Sequence, residues 1–124
     1  MRQKRNRLKT YYHRQAISKK YDEGNSYIEY GTAESFTAEM WAAGGKIQAE
    51  MYGKRLPDIC NLRITGDYSV EVSKDNKMCF KICNGPIITV DDGICLYASD
   101  SAEPDYHIVA IYPNRFLTLE VEKI

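Results

Sequence analysis

Residues 105–124, DYHIVAIYPNRFLTLEVEKI, decide how this chain folds. Two strand-like runs flank Pro113-Asn114 and predict a hairpin that runs to the end of the sequence. In the first run Ile108, Ala110 and Tyr112 alternate with His107, Val109 and Ile111, so both faces are largely apolar, as in a strand buried on both sides. In the second, Leu117, Leu119 and Val121 point one way and Thr118, Glu120 and Glu122 the other, the period-two signature of a half-buried strand.

The same reading extends outward. The middle of Leu8 to Ile17 reads as a first strand, and residues 19–27, KKYDEGNSY, as a turn. Phe36, Ala38, Met40 and Ala42 alternate with Ser35, Thr37, Glu39 and Trp41 in a strand broken by Gly44-Gly45. The next piece, GKIQAEMYGKRLPDI, is undecided. Ile47, Ala49 and Met51 fit a strand, whereas Ala, Glu, Gln and Met favour a helix that Gly53 could cap, and Pro57 ends the piece either way. ICNLRITG, DYSVEVSKD and KMCFKIC read as strands separated by Gly66-Asp67 and Asp75-Asn76. PIITV and ICLYAS follow, set off by Asn84-Gly85-Pro86 and Asp91-Asp92-Gly93, and SDSAEPD is a polar loop before the closing hairpin.

Seven to nine short strands with turns this close predict an all-β fold, a small antiparallel barrel or sandwich with a long loop and at most one short helix. Ten Tyr, three Phe and one Trp suit pleated sheets, and 124 residues suffice for one packed core, so a single domain is expected over residues 1–124.

Charge is unevenly placed. Residues 1–20 hold eight Lys or Arg and no acid, which leaves nine basic and seventeen acidic residues for the remainder. Residues 1–7, MRQKRNR, are too charged to pack and read as a mobile arm before a barrel of residues 8–124. Arg2, Lys4, Arg5, Arg7, Lys9, Arg14, Lys19 and Lys20 surround Tyr11 and Tyr12, which joins phosphate-seeking charge to stacking surfaces. An OB-like barrel binding single-stranded nucleic acid is therefore one reading, opposed by the acidity of the rest. The other reading is a basic segment that grips acidic protein, on this chain or a neighbour, through Arg2, Lys4, Arg5, Arg7, Lys9 and Arg14. No apolar run is long enough to span a bilayer and no signal-peptide core follows the basic start, so no membrane partner is expected and the chain is placed in the cytoplasm where it is made.

Enzymatic chemistry finds little support. The chain has no GxGxxG, GKS or GKT, GxSxG or HExxH. His13 falls in the basic segment, and His107 lies in an apolar strand where a structural role is expected. Asp91-Asp92-Gly93 reads as a turn in which Asp accepts backbone amides and Gly93 takes positive φ. Cys60, Cys79, Cys83 and Cys95 match no zinc spacing. On a strand Cys79 and Cys83 stand about 13 Å apart, against the ~4 Å that a shared zinc permits. Free thiols, no cofactor and no catalytic or metal site are expected.

Two blocks carry a family resemblance. EPDYHIVAIYPNRFLTLEVEKI resembles the close of the head closure, or stopper, proteins of tailed bacteriophages: an acidic-polar loop, a D-Y-x-V-like strand, a short turn and a last aliphatic strand ending near a Lys. EYGTAESFTAEMWAAGGKIQAEMYGKRLPDICNLRI is similar to their middle block, a tyrosine-glycine turn, a strand, a Gly-Lys segment with E-x-[YF]-G and a further strand. Together the blocks cover about half the chain, and CNLRITGDYSVEVSKDNKMCFKICNG has no counterpart and reads as a local insertion.

The resemblance implies a small barrel that assembles as a dodecameric ring in the virion neck. It would join the portal and adaptor to the tail and help retain double-stranded DNA in the channel. An adaptor or tail-completion protein of the same neck is the neighbouring alternative. The segment matching the channel loop is Ala42 to Arg55, within a projecting stretch 42–57, which puts Gly44, Gly45, Lys46, Gln48, Glu50 and Lys54 at a gate. Its places are the virion and, during assembly, the host cytoplasm.

Overall fold

The computed structural model describes residues 8–20, 24–73 and 76–124. Six strands close an antiparallel barrel in the order β1 (Leu8–Arg14), β4 (Glu34–Ala42), β5 (Ile59–Ile64), β11 (Leu117–Lys123), β10 (Tyr106–Pro113) and β9 (Gly93–Cys95), with β9 returning to β1. Two small sheets stand outside it. One pairs β2 (Ala16–Lys20) with β3 (Ser26–Tyr30), and the other is β6 (Tyr68–Val72), β7 (Met78–Ile82) and β8 (Ile87–Ile88). The barrel is thus the all-β fold the turn spacing predicts, and the α-helix among the described residues is the short α1 (Gly45–Tyr52).

The terminal hairpin is a barrel wall. Leu117, Leu119 and Val121 are fully enclosed, joined in the core by Ile108, Leu62, Ile64, Ala38 and Ile94. β10 is not buried on both faces as its double alternation predicts. Val109 is an extra residue: Ile108 pairs with Val121 and Ala110 with Glu120. This bulge moves the inward face from Tyr106 and Ile108 to Ile111, opposite Leu119, and turns Tyr112 outward at 36% exposure. One strand therefore carries two half-patterns that overlay in the sequence as apolarity on both faces.

β1 puts the first strand read in the middle of Leu8 to Ile17 into the barrel wall. Tyr11 is buried against Phe36, with ring centroids 6.1 Å apart, and His13 is buried, so residues 8–14 are wall. Removing residues 1–20 would take a strand out of the barrel. Lys19, Lys20, Ser26 and Tyr27, read as turn, are in β2 and β3. The proposed mobile arm, with Arg2, Lys4, Arg5 and Arg7, lies outside the described residues, as do Asp22 and Asp75 of two predicted turns.

Beyond β5, the stretch without a family counterpart forms β6 and β7 and so leaves the barrel. Its inner face pairs Tyr68 with Ile82 and Val70 with Phe80, and Phe80 and Ile82 reach the core. Asn76 and Asn84 take the left-handed conformation at its turns, with φ of 61° and 59°.

At the Asp91-Asp92-Gly93 turn the positive φ of 80° belongs to Asp91, not Gly93. Gly93 has another reason to lack a side chain: a Cβ there would stand 2.5 Å from Pro104 Cγ and 2.9 Å from Tyr30 Cε1.

Candidate functional site

The undecided segment after β4 folds as α1 followed by a 3-10 turn, Gly53–Asp58. Helix wins because its end is capped from within: Gln48 Oε1 accepts the Gly44 N–H at 3.0 Å, and Ala49, Glu50 and Met51 favour the helical backbone. Gly53, at φ 54°, ends α1, while Pro57 lies inside the 3-10 turn and does not stop it.

α1 lies against the outer wall at β5 and β11 rather than projecting free. The contact is polar and centres on Glu120, a residue that alternation points outward and the helix covers to 3% exposure. Tyr52 donates to Glu120 Oε1 at 2.8 Å, Tyr112 donates to the same oxygen at 2.6 Å, and Gln48 Nε2 donates to Oε2 at 2.6 Å. Gln48 Nε2 also reaches Asn61 Oδ1 at 2.7 Å. Arg55 adds a two-pronged bond to Glu122, at 2.7 and 2.6 Å.

These contacts shift proton affinities. Burial, then the bond to Glu120, pushes the Tyr52 hydroxyl well above its ordinary value, and the Glu120 bond with burial pushes Tyr112 up to about 12. Both phenols are donors at neutral pH, and the Arg55 guanidinium holds Glu122 below the usual carboxylate range. Tyr52 is the only residue of α1 that is buried. The outward side shows Ile47 at 76% and Met51 at 55% exposure, one helical turn apart.

Of the residues assigned to a gate, Gln48 is thus tied to the barrel wall, whereas Gly44, Gly45, Lys46, Glu50 and Lys54 are exposed. Gly45, at φ 82°, and Gly53 put left-handed backbone at each end of the helix. Of the assigned basic contacts, Lys9 is exposed on β1, but Arg14 is engaged within the chain. Its guanidinium donates to the carbonyls of Gly31 at 2.6 Å, Ala102 at 2.8 Å and Tyr30 at 3.3 Å.

A second polar centre lies where β1 meets β9. Asp92 accepts Ala16 N–H at 3.0 Å, Thr89 N–H at 3.0 Å and His13 Nε2 at 2.6 Å. The aspartate is the acceptor, so Nε2 carries the proton. Among the described residues His13 Nδ1 is buried without a hydrogen-bond partner. The ring borders a cleft of about 480 Å³ between β2 and the β7–β8 sheet. His107 stands 3.7 Å from Glu122 on the barrel's outer wall. Among the described residues no group of three or more His, Cys, Asp and Glu is placed to hold a metal ion. The four cysteines are free, and burial raises the thiols of Cys60 and Cys95. No described helix is long and apolar enough to cross a membrane.

Sequence reasoning missed Glu120, Asn61, Tyr52 and Tyr112 as one cluster, because Tyr52 and Glu120 are 68 positions apart and only α1 joins them. The signal at Glu120 lies in the pairing: its partners in register are Ala110 and Asn61, neither of them basic. Comparison with protein-family models, curated proteins and solved structures finds no match for this chain.

Proposed function

We propose that this protein is a structural component of a tailed-bacteriophage neck. It joins the portal and adaptor to the tail as a ring of copies, and it helps close the DNA channel after packaging. Two blocks of sequence resemble head closure proteins, and the barrel is of the kind that resemblance implies.

The observation that carries the reading is the build of residues 44–53. A separate helix stands between left-handed glycines and rests on the wall through hydrogen bonds and one buried tyrosine. Such an element can leave and return without exposing a core, which a gate requires. Lys46, Glu50 and Lys54, with Ile47 and Met51, are the side chains it offers to a channel or neighbour. The acidic remainder of the chain repels DNA and lets it slide.

Deleting the gene in its phage and imaging the particles tests this. Heads that fill and then leak, without tails, are expected. Finished tails beside stable, filled heads would make it a tail-completion protein, and normal infectious particles would remove it from the neck.

A further inference from the structure

β6 stands at the rim of its three-stranded sheet, with β7 on one side and no strand among the described residues on the other. The ladder with β7 shows which backbone groups face that open side. Ser73 N–H donates to the Lys77 carbonyl and Cys83 N–H to the Asp67 carbonyl, in register with the pairs of β6 and β7, so the odd-numbered residues turn their N–H and C=O toward β7. By alternation Tyr68, Val70 and Val72 turn theirs outward. Ser69 to Val72 are all exposed. Lys, Pro or a bulge blunts most natural edges. β6, YSVEV, has no Lys, no Pro and no register shift against β7, and its one charge is Glu71.

A second copy of the same strand fits this edge. Laid antiparallel about a two-fold axis at Val70, each Val70 faces its counterpart, Tyr68 faces Val72 and Ser69 faces Glu71. Every outward residue then falls in a pair that exchanges both backbone bonds. A slip of one residue sets Val70 against Glu71 and an outward residue against an inward one. The side chains agree with this register. Met78 and Val72, 52% and 65% exposed, come into line with Tyr68 and Ile82 of the second copy, and Val70, 48% exposed, meets itself. On the opposite face Lys81 is in register with Ser69. Glu71 of the second copy therefore stands two strands from Lys81, about 10 Å between backbones, with the small Ser69 side chain between them. Among the described residues neither Glu71 nor Lys81 has an ion pair within its own chain.

The geometry points to β6 as a two-fold docking edge. Two copies of this chain join β6 to β6 in one continuous sheet, and Lys81 of each reaches Glu71 of the other. The contact is isologous and ends at two copies, so it cannot build a ring. It is carried by β6 alone and stands or falls apart from the neck reading.

Sedimentation velocity of the full chain over rising concentration tests it. A single step from monomer to dimer is expected. Val70→Pro removes an outward N–H and sets a ring at the junction, yet leaves the ladder with β7 its bonds; it stays monomeric where the parent is dimeric. Glu71→Lys opposes like charges and weakens the dimer, and Glu71→Lys with Lys81→Glu restores it. Thermal unfolding checks that each variant folds, and Val70→Lys, which opposes two ammonium groups at the axis, takes the place of Val70→Pro if that chain does not. A parent chain that stays monomeric up to its solubility limit overturns the inference, as do larger species in place of a dimer. So does a Val70 variant that dimerises like the parent, or a charge exchange that leaves the dimer as weak as Glu71→Lys alone.

Discussion

Glu120 occupies a position that strand alternation gives to solvent, yet it is enclosed by three donors from two elements. A carboxylate so placed costs desolvation and is held by the bonds that satisfy it. Glu120→Ala leaves two phenols and an amide facing an empty site, and is expected to lower stability by about 3 kcal/mol. Denaturant unfolding measures this, and a loss as small as that of an exposed glutamate would mean that α1 does not rest on it. At this scale the sequence was legible wherever one face meets the core: Leu117, Leu119 and Val121 are enclosed as their spacing predicts. It was illegible where a distant segment decides. Nothing near Glu120 announces its helical cover, and nothing near Gly93 announces Pro104 and Tyr30.

Elements were readable where one pattern governed them. β4 and β11 follow their alternation, whereas β10 hides a bulge that two incompatible half-patterns disguise as a buried strand. α1 was open because its residues suit either state, and the Gln48 bond to Gly44 that favours the helix depends on geometry rather than composition. The attachment of α1 has an alkaline limit. Tyr52 and Tyr112 are held as neutral donors, with proton affinities raised above the ordinary tyrosine value of about 10. Their contribution is complete below that pH and is lost as pH rises toward about 12, the value to which Tyr112 is raised. Burial also raises Tyr11, Tyr30 and Tyr106, so the two phenols are identified by difference: the late tyrosinate absorbance lost in Tyr52→Phe and in Tyr112→Phe should coincide with the loss of helical circular dichroism in the parent. Titration of Tyr52 and Tyr112 at the ordinary tyrosine value of about 10 would show that the helix does not hold them.

Across the whole molecule, patterning foretold one all-β body but not its division into a closed barrel and two satellite sheets. Strand pairing is a choice among partners that are locally alike, and the choice is made by which faces reach the common core. β1 was legible as a strand only in part, because its Tyr11 and His13 are buried among exposed or half-buried neighbours that include Lys9 and Arg14. Hydrogen exchange should separate the parts. Amides of β4, β5 and β11 are expected to exchange most slowly, and those of β2 and β3 orders of magnitude faster; equal protection would mean that the hairpin is already covered.

β9 is three residues long and meets β1 through three pairs and β10 through two. The ring of strands has its shortest pairing at this link, which Asp91 and Asp92 extend through backbone bonds to Ile108, and Asp92 through its bonds to His13 and Ala16. Cys95 sits in that link at 1% exposure. Its thiol is sealed while the link holds and is bared when it slips, so the chain carries its own clock for how often the hoop comes undone.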